Sequence, residues 1–428
     1  MDRRRRARSG VAVVVIVTGV MAALAGCVPE PDPRPSASAP APAPDPTPYD
    51  GPLTFVGDEL DSLLLTTDEI TALLPGATDV SAPSATLHQI SDGGGTASTP
   101  AICDALYVEQ SLGTVGARVI EWTTPTDPES GGGNLMALQF ADPEQAAARM
   151  DQLVQAATDC ARFTKEAPAT FDSVVLDEVD GVRAFAGTLI DDAAGYDLRL
   201  FQGFAAVGNV LVALRQPFVG DAAYDAQAVA DILQERAVQA RADLIADLTE
   251  NPPVGDEEPV TDASRPWSEW QVSGDGVGPI LLGDTVDVAV AAAGGTPAAP
   301  SFEGGPWIVS KAEGTGSILI QSAEGADTVW YITVGTRRSA APETSQDGAA
   351  LPARGDIRVG APVADAITAF PGGTIVDVAS SGEDYYAVAT RDGRVYRFDT
   401  EGDAADQGTV IIGITVEDAT RRMAPRFG

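Results

Sequence analysis

From residue 52 onward the apolar residues fall into periods of two or of about 3.6, and the change of period separates strands from helices. Leu63-Leu64-Leu65 runs into Thr66-Thr67-Asp68-Glu69, where Thr66 and Glu69 have the spacing of a capping box. This predicts a short helix through Ile70, Leu73 and Leu74, stopped by Pro75-Gly76. Strands are predicted over 117–123 and 135–140. Asp142-Pro143-Glu144 then supplies a cap, a proline for the first turn and an acid at the positive end of a helix dipole. Met150, Leu153, Val154, Ala157 and Cys160 recur at helical spacing, which turns Cys160 toward the core. Further strands are predicted over 174–176, 182–190, 197–204 and 210–214, with Gly208-Asn209 as a tight turn before the last of them. A helix over 224–248 closes this region. The pattern describes an α+β unit, an antiparallel sheet with packed helices.

A second region, residues 267–428, follows an acidic linker over 249–266 that carries Pro252, Pro253, Asp256, Glu257, Glu258 and Pro259. It contains an internal repeat. Ile280, Leu282, Gly283, Val286, Ala289, Val290 and Ala293 recur as Ile357, Val359, Gly360, Val363, Ala366, Ile367 and Phe370. The last four of each set form the apolar stripe of a short helix. Asp284 is placed to cap the first helix, and Pro362 stands where the second tolerates proline. Strand-like runs follow at 307–309, 317–320 and 329–334, and again at 374–378, 385–390, 394–398 and 410–416, with Asp392-Gly393 as a hairpin turn. The region is therefore expected to be α+β as well, two helix-plus-β-meander repeats.

The first 51 residues have neither period. Five arginines between Arg3 and Arg8 precede an apolar run from Val11 to Leu24, the head and middle of a secretory signal. The run is shorter than the roughly 20 residues a membrane span needs. It ends in Leu24-Ala25-Gly26-Cys27, which resembles the lipobox of bacterial lipoproteins. The resemblance implies removal of residues 1–26 and attachment of a lipid to Cys27. The chain would then be held at the outer face of the cell membrane by its acyl chains. Nine prolines between Pro29 and Pro48 make residues 27–51 an extended spacer. With Cys27 lipidated, the remaining two of the three cysteines, Cys103 and Cys160, form an even pair, expected as a disulfide in an exported protein.

The net charge of −35 disfavours nucleic acid and anionic headgroups as partners. The basic residues are almost all arginine, Lys165 and Lys311 being the only lysines, which suggests a GC-rich actinobacterial genome. With a single histidine, a Ser-His-Asp or Cys-His site would have to use His88, which is expected as a surface or loop residue. A zinc site lacks ligands, and no cofactor is implied. Trp267 and Trp270 are read as sealing a core, the other reading being an exposed platform for glycan or peptide. Trp122 is likewise read as core rather than as a cleft wall. Asp399, Glu401, Asp403 and Asp406 read as a solvated acidic loop, with calcium binding left open because the spacing is not that of an EF-hand. Gly274, Gly276 and Gly278 follow no strand, so a phosphate role is not assigned.

Residues 60–245 resemble the PknH-like extracellular sensor domain of mycobacterial receptor kinases and actinobacterial lipoproteins. Carrying the likeness are residues 63–70, Cys103 and Cys160 flanking the Asp142 helix, and Phe201-Gln202-Gly203-Phe204 leading to Gly208-Asn209-Val210-Leu211-Val212. The family's second cysteine pair, in the last hairpin, is absent here. The resemblance implies a sensing or binding module, residues 52–248, without catalysis. In layout, the two repeats are similar to the tandem small domains of β-lactamase-inhibitor proteins and outer-membrane-assembly lipoproteins, which bind proteins. The expected function is thus non-enzymatic sensing or binding of an envelope ligand or protein, with the site in a cleft beside the first sheet. The alternative is a carboxylate-based envelope hydrolase, for which the 62 acidic residues would readily supply a pair. Sequence leaves the ligand, and the half that binds it, unassigned.

Overall fold

The computed structural model describes residues 47–90, 97–124, 132–192, 198–253, 262–302, 305–311, 315–322, 325–338, 346–422 and 427. The leader, Cys27 and the spacer up to residue 46 lie outside these, as does the acidic linker over 254–261. In chain order the first region forms α1 (Thr67–Leu73), β1 (Thr86–Gln89), β2 (Gly116–Trp122), β3 (Gly133–Gln139) and α2 (Pro143–Asp159). It continues with β4 (Phe163–Thr164), β5 (Pro168–Val175), β6 (Arg183–Asp191), β7 (Leu198–Val207), β8 (Val210–Pro217) and α3 (Ala226–Glu250).

The local signals act as their chemistry requires. Thr66 Oγ1 accepts from the Glu69 amide and Glu69 Oε2 accepts from the Thr66 amide at 2.6 Å, closing the capping box that starts α1. Asp142 caps α2 by accepting from the Gln145 amide at 2.8 Å. Gly208 adopts a φ of +53° in the β7–β8 turn, where a Cβ would lie 2.4 Å from the Leu53 carbonyl oxygen. Its neighbour Asn209 is fully buried. Asn209 Oδ1 accepts from the Phe55 amide at 2.7 Å, and Nδ2 donates to the Phe140 carbonyl at 2.8 Å, so one hairpin residue also ties down two other segments.

Strands β2-β3-β8-β7-β6-β5-β4 form an antiparallel seven-stranded sheet in that order. One face packs Phe185, Leu189, Phe204 and Leu211 against Met150 and Leu153 of α2. The other packs Phe201, Val212 and Leu214 against Val229 and Leu233 of α3. Both cysteines are fully buried, and a disulfide joins Cys103 to Cys160 at the end of α2.

The second region contributes β9 (Val272–Ser273), β10 (Gly276–Val277), β11 (Ile280–Leu281), α4 (Val286–Ala293), β12 (Thr296–Ala298), β13 (Trp307–Ser310), β14 (Ser317–Ser322) and β15 (Val329–Gly335). Its second unit holds α5 (Val363–Ala369), β16 (Thr374–Val378), β17 (Glu383–Ala389), β18 (Arg394–Thr400) and β19 (Ile411–Asp418). Strands β9 to β11 make a small separate sheet. The two meanders do not stay apart. Their last strands, β15 and β19, pair antiparallel, with Ile332 opposite Val416, Thr333 opposite Thr415 and Val334 opposite Ile414. A pseudo-twofold axis therefore passes between Thr333 and Thr415, whose hydroxyls are hydrogen-bonded at 2.8 Å. The result is one nine-stranded sheet, β1-β16-β17-β18-β19-β15-β14-β13-β12. The chain is thus α+β in both regions.

One face of this sheet buries Ile332, Val334, Tyr396, Phe398, Ile414 and Val416 against α4 and α5. Trp267 and Trp270 belong to the same core, 7% and 1% exposed, and Trp267 Nε1 donates to the Ala293 carbonyl at the end of α4; they form no exposed platform. Trp122 is buried too, donating to Gln216. Asp284 does not cap α4. Thr285 holds the cap position without a side-chain bond, because the backbone of Asp284 is engaged one residue earlier, its carbonyl accepting from the Val329 amide of β15.

The segment around His88 forms β1, among the described residues the one strand of the first region in the nine-stranded sheet, and it pairs in parallel with β16. His88 is exposed, 3.3 Å from Asp377 directly across the pair. Leu87, Val115, Ala117 and Val119 of the first region share a core with Val376, Tyr385, Ala387 and Val395 of the second. Arg391 reaches Glu59, and Arg118 donates to the Gly372 carbonyl at 3.0 Å, across the same seam. Residues 46–428 accordingly cluster as a single unit.

Candidate functional site

The first sheet offers no open face for the cleft expected beside it: α2 covers one side and α3 the other, with Phe204 and Phe201 filling the space beneath them. The cavity lies instead on the second sheet, on the face turned away from α4 and α5. There the cover supplied by the first region runs out at the loop carrying Gly113. It has a volume of about 420 Å³ and is lined by Gly113, Trp330, Tyr331, Arg337, Tyr385, Arg397, Thr415, Glu417 and Arg422.

Strand register puts these side chains together. Residues directly opposite in an antiparallel ladder project from the same face, as do residues two apart on one strand. Tyr331 lies opposite Glu417, Thr333 and Arg397 flank Thr415 from either side, and Asp399 lies opposite Tyr385. Odd-numbered positions of β15, β17, β18 and β19 therefore build the polar wall, while Ile332, Tyr386, Phe398 and Ile414 build the core behind.

Three guanidiniums meet three carboxylates on this wall. Arg397 donates to Asp399 through Nε and Nη2, and through Nη2 to Glu383 at 2.9 Å. Arg337 donates to both Glu383 oxygens at 3.1 Å and to the Tyr331 hydroxyl at 2.8 Å. Arg422 forms a bidentate pair with Glu417 at 2.7 and 2.8 Å and also donates to the Thr114 carbonyl, locking the Gly113 loop to the sheet. Thr415 donates to Asp399 Oδ2 at 3.1 Å. Arg397 lies 3.7 Å over the Tyr385 ring.

The protonation states follow. Burial alone would lift the Glu417 carboxyl, and the guanidinium of Arg422 more than reverses this, holding it below the ordinary carboxylate value. Burial alone would lower Arg397, whereas Asp399 and Tyr385 raise it well above the ordinary guanidinium value. Tyr385 is lifted by burial, so its hydroxyl stays protonated at neutral pH.

The residues singled out in the sequence are mostly elsewhere. His88 and Asp377 lie opposite Asp384 in register, on the sheet face away from Tyr385 and the cavity. The acidic loop is divided. Asp399 is buried on β18 facing Arg397, because its strand position points inward, while Asp403 and Asp406 accept from the amides of Ala405 and Gly408. No group of three or more acidic, histidine or cysteine side chains suited to a metal occurs among the described residues. No helix of the described residues is long and apolar enough to cross a membrane. Sequence reasoning missed Arg337, Arg397, Arg422, Glu383, Glu417, Tyr331 and Tyr385. The available signal was charge on alternate positions of β18 and β19, which by itself reads as an ordinary solvated face.

No family model matches the chain, and no curated protein matches it in sequence. Among solved structures, the extracellular domain of PknH from Mycobacterium tuberculosis aligns at 16% identity and a TM-score of 0.28, covering 47% of this chain and 100% of that domain. A putative uncharacterised protein from Mycobacterium smegmatis aligns at 14% identity and a TM-score of 0.25, covering 44% of this chain and 96% of that one.

Proposed function

We propose that the chain is an exported binding protein of the bacterial envelope, lipid-anchored through Cys27, which holds a ligand in the cavity at the seam and carries out no chemistry on it. The observation that carries this reading is the cavity itself. Its volume of about 420 Å³ falls in the range of small-molecule sites, and its walls are polar side chains already fixed in place by ion pairs. Pre-fixed donors favour binding because little order is lost when the ligand arrives. A protein partner needs a far larger surface.

One feature weighs against the hydrolase. The carboxyl on the cavity wall, Glu417, is held ionised by Arg422, whereas a general acid for glycoside cleavage needs a raised value. The lipobox sequence at Cys27 and the proline-rich spacer support placement outside the cytoplasmic membrane.

Incubating the mature protein with the small-molecule fraction of digested envelope, followed by native mass spectrometry, is expected to yield an adduct that Trp330→Ala weakens. Sustained turnover of a wall glycan or peptide, with no adduct, would overturn the reading. For the anchor, Cys27→Ser is expected to abolish incorporation of labelled palmitate and release the protein to the medium. Retention of both label and membrane attachment would contradict it.

A further inference from the structure

The cavity wall is less acidic than the rest of the molecule, its three guanidiniums balanced by three carboxylates of which only Glu417 lines the space. The chain carries −35, yet three guanidiniums and one carboxylate line this space. The carboxylates of Glu383 and Asp399 grip Arg397 by Nε and Nη2 only. Arg397 is 8% exposed, and its Nη1, with two N–H donors, has no hydrogen-bond partner among the described residues. Tyr385, also 8% exposed, lines the same wall, and its hydroxyl is equally without a hydrogen-bond partner among the described residues. Both donors face the open cavity, where an anionic oxygen satisfies them better than a neutral one. Around them the rings of Trp330, Tyr331 and Tyr385 give flat apolar surface.

We infer that the ligand is a small organic acid. Its carboxylate or phosphate oxygens sit on Arg397 Nη1 and the Tyr385 hydroxyl, and its flat body lies against the Trp330 and Tyr331 rings. This inference rests on the cavity being the binding site and adds the chemical class of what fills it. The ion pairs behind the wall orient the arginines, and the ligand takes the edges they leave open. A neutral compound of the same shape offers those donors only an uncharged acceptor, so the site discriminates by charge as well as by shape.

The test uses the mature protein with benzoate, phenyl phosphate and the uncharged control benzamide at millimolar concentration, read by calorimetric titration and by the rise in melting temperature that ligand binding produces. Benzoate or phenyl phosphate is expected to bind, and benzamide at least about tenfold more weakly, the factor for one charge-assisted hydrogen bond. Which of the two anions binds tighter separates a carboxylate from a phosphate ligand. Tyr385→Phe removes a hydroxyl that no protein group uses, so it leaves the unliganded melting temperature unchanged while weakening the anion about tenfold. Equal binding of benzamide and benzoate, no binding by either anion, or a Tyr385→Phe protein that binds the anion as before would each overturn the inference. The envelope-extract adduct and its sensitivity to Trp330→Ala are unaffected by those outcomes, so the two readings fail separately.

Discussion

Two buried arginines show how surroundings set the cost of a charge. Arg397 sits between Glu383 and Asp399, and Arg397→Met leaves Asp399 buried with only the Thr415 hydroxyl as partner, while Glu383 keeps Arg337, an expected loss of about 3 kcal/mol. Arg149, 1% exposed in α2, has only neutral partners among the described residues: Gln110 Oε1 at 2.8 and 3.1 Å and Gln152 at 3.1 Å. Burial lowers its pKa to about 10. Arg149→Met takes a donor from two neutral oxygens, Gln110 Oε1 and Gln152 Oε1, and removes a desolvated charge, so its expected cost is smaller, about 1–2 kcal/mol. Urea unfolding of the two variants checks the ordering. Acid should act through the same pairs. Glu417 and Asp418 are both held below their ordinary values despite burial, by Arg422 in the first case and by Thr420 and Arg394 in the second. A lowered carboxyl contributes stability that is full above its unfolded value, near 4.5 for Glu417, and is lost as pH falls through the lower folded value. The urea midpoint should therefore drop below about pH 4.5, and Glu417→Gln should flatten that drop; an unchanged pH profile would refute the assignment. None of these pairs was legible from sequence. Arg397 and Asp399 are two apart on β18, but their partner Glu383 comes from the neighbouring strand β17, and only the register of the two strands brings them together.

Elements were the most legible level, for a local reason: caps, turns and apolar periods act within a few residues. The capping box of Thr66, the Asp142 cap and the Gly208-Asn209 turn all stand where the sequence put them. Misses fell where an element owes its existence to distant pairing. β1 has little apolar pattern and becomes a strand only because β16 lies beside it. β12, three exposed residues, is likewise held by β13. The disulfide joins the turn at Cys103 to the end of α2 across a separation of 57 residues, for which the chain-entropy account gives roughly 4 kcal/mol. Replacing both cysteines by serine should lower stability by about that amount, measured by urea unfolding; a change under about 1 kcal/mol would show that packing alone fixes the α2 end. Asn209→Ala should cost about 2–3 kcal/mol, more than an ordinary hairpin residue, because the Phe55 and Phe140 backbone groups lose their buried partner.

At the scale of the molecule, the two regions share apolar contacts, an ion pair and hydrogen bonds. Val376, Tyr385, Ala387 and Val395 are covered by Val115, Ala117 and Val119, with Arg391–Glu59 and Arg422–Thr114 along the border. Scanning calorimetry of the mature protein is expected to show a single transition. Two separated transitions would mean that the seam contributes little to cooperativity of unfolding. The repeat was readable because its helix stripe recurs in order, whereas its assembly was not: nothing local states that β15 and β19 pair with each other. That pairing has a quantitative consequence. The axis between Thr333 and Thr415 maps the Tyr331–Glu417 pair onto Gly335–Gly413 at the other end of the same two strands. Tyrosine and glutamate furnish a binding wall, and two glycines furnish none. Duplication of the frame was therefore not duplication of the site: saturation should follow a plain hyperbola, with one equivalent of ligand per polypeptide and a Hill coefficient of one.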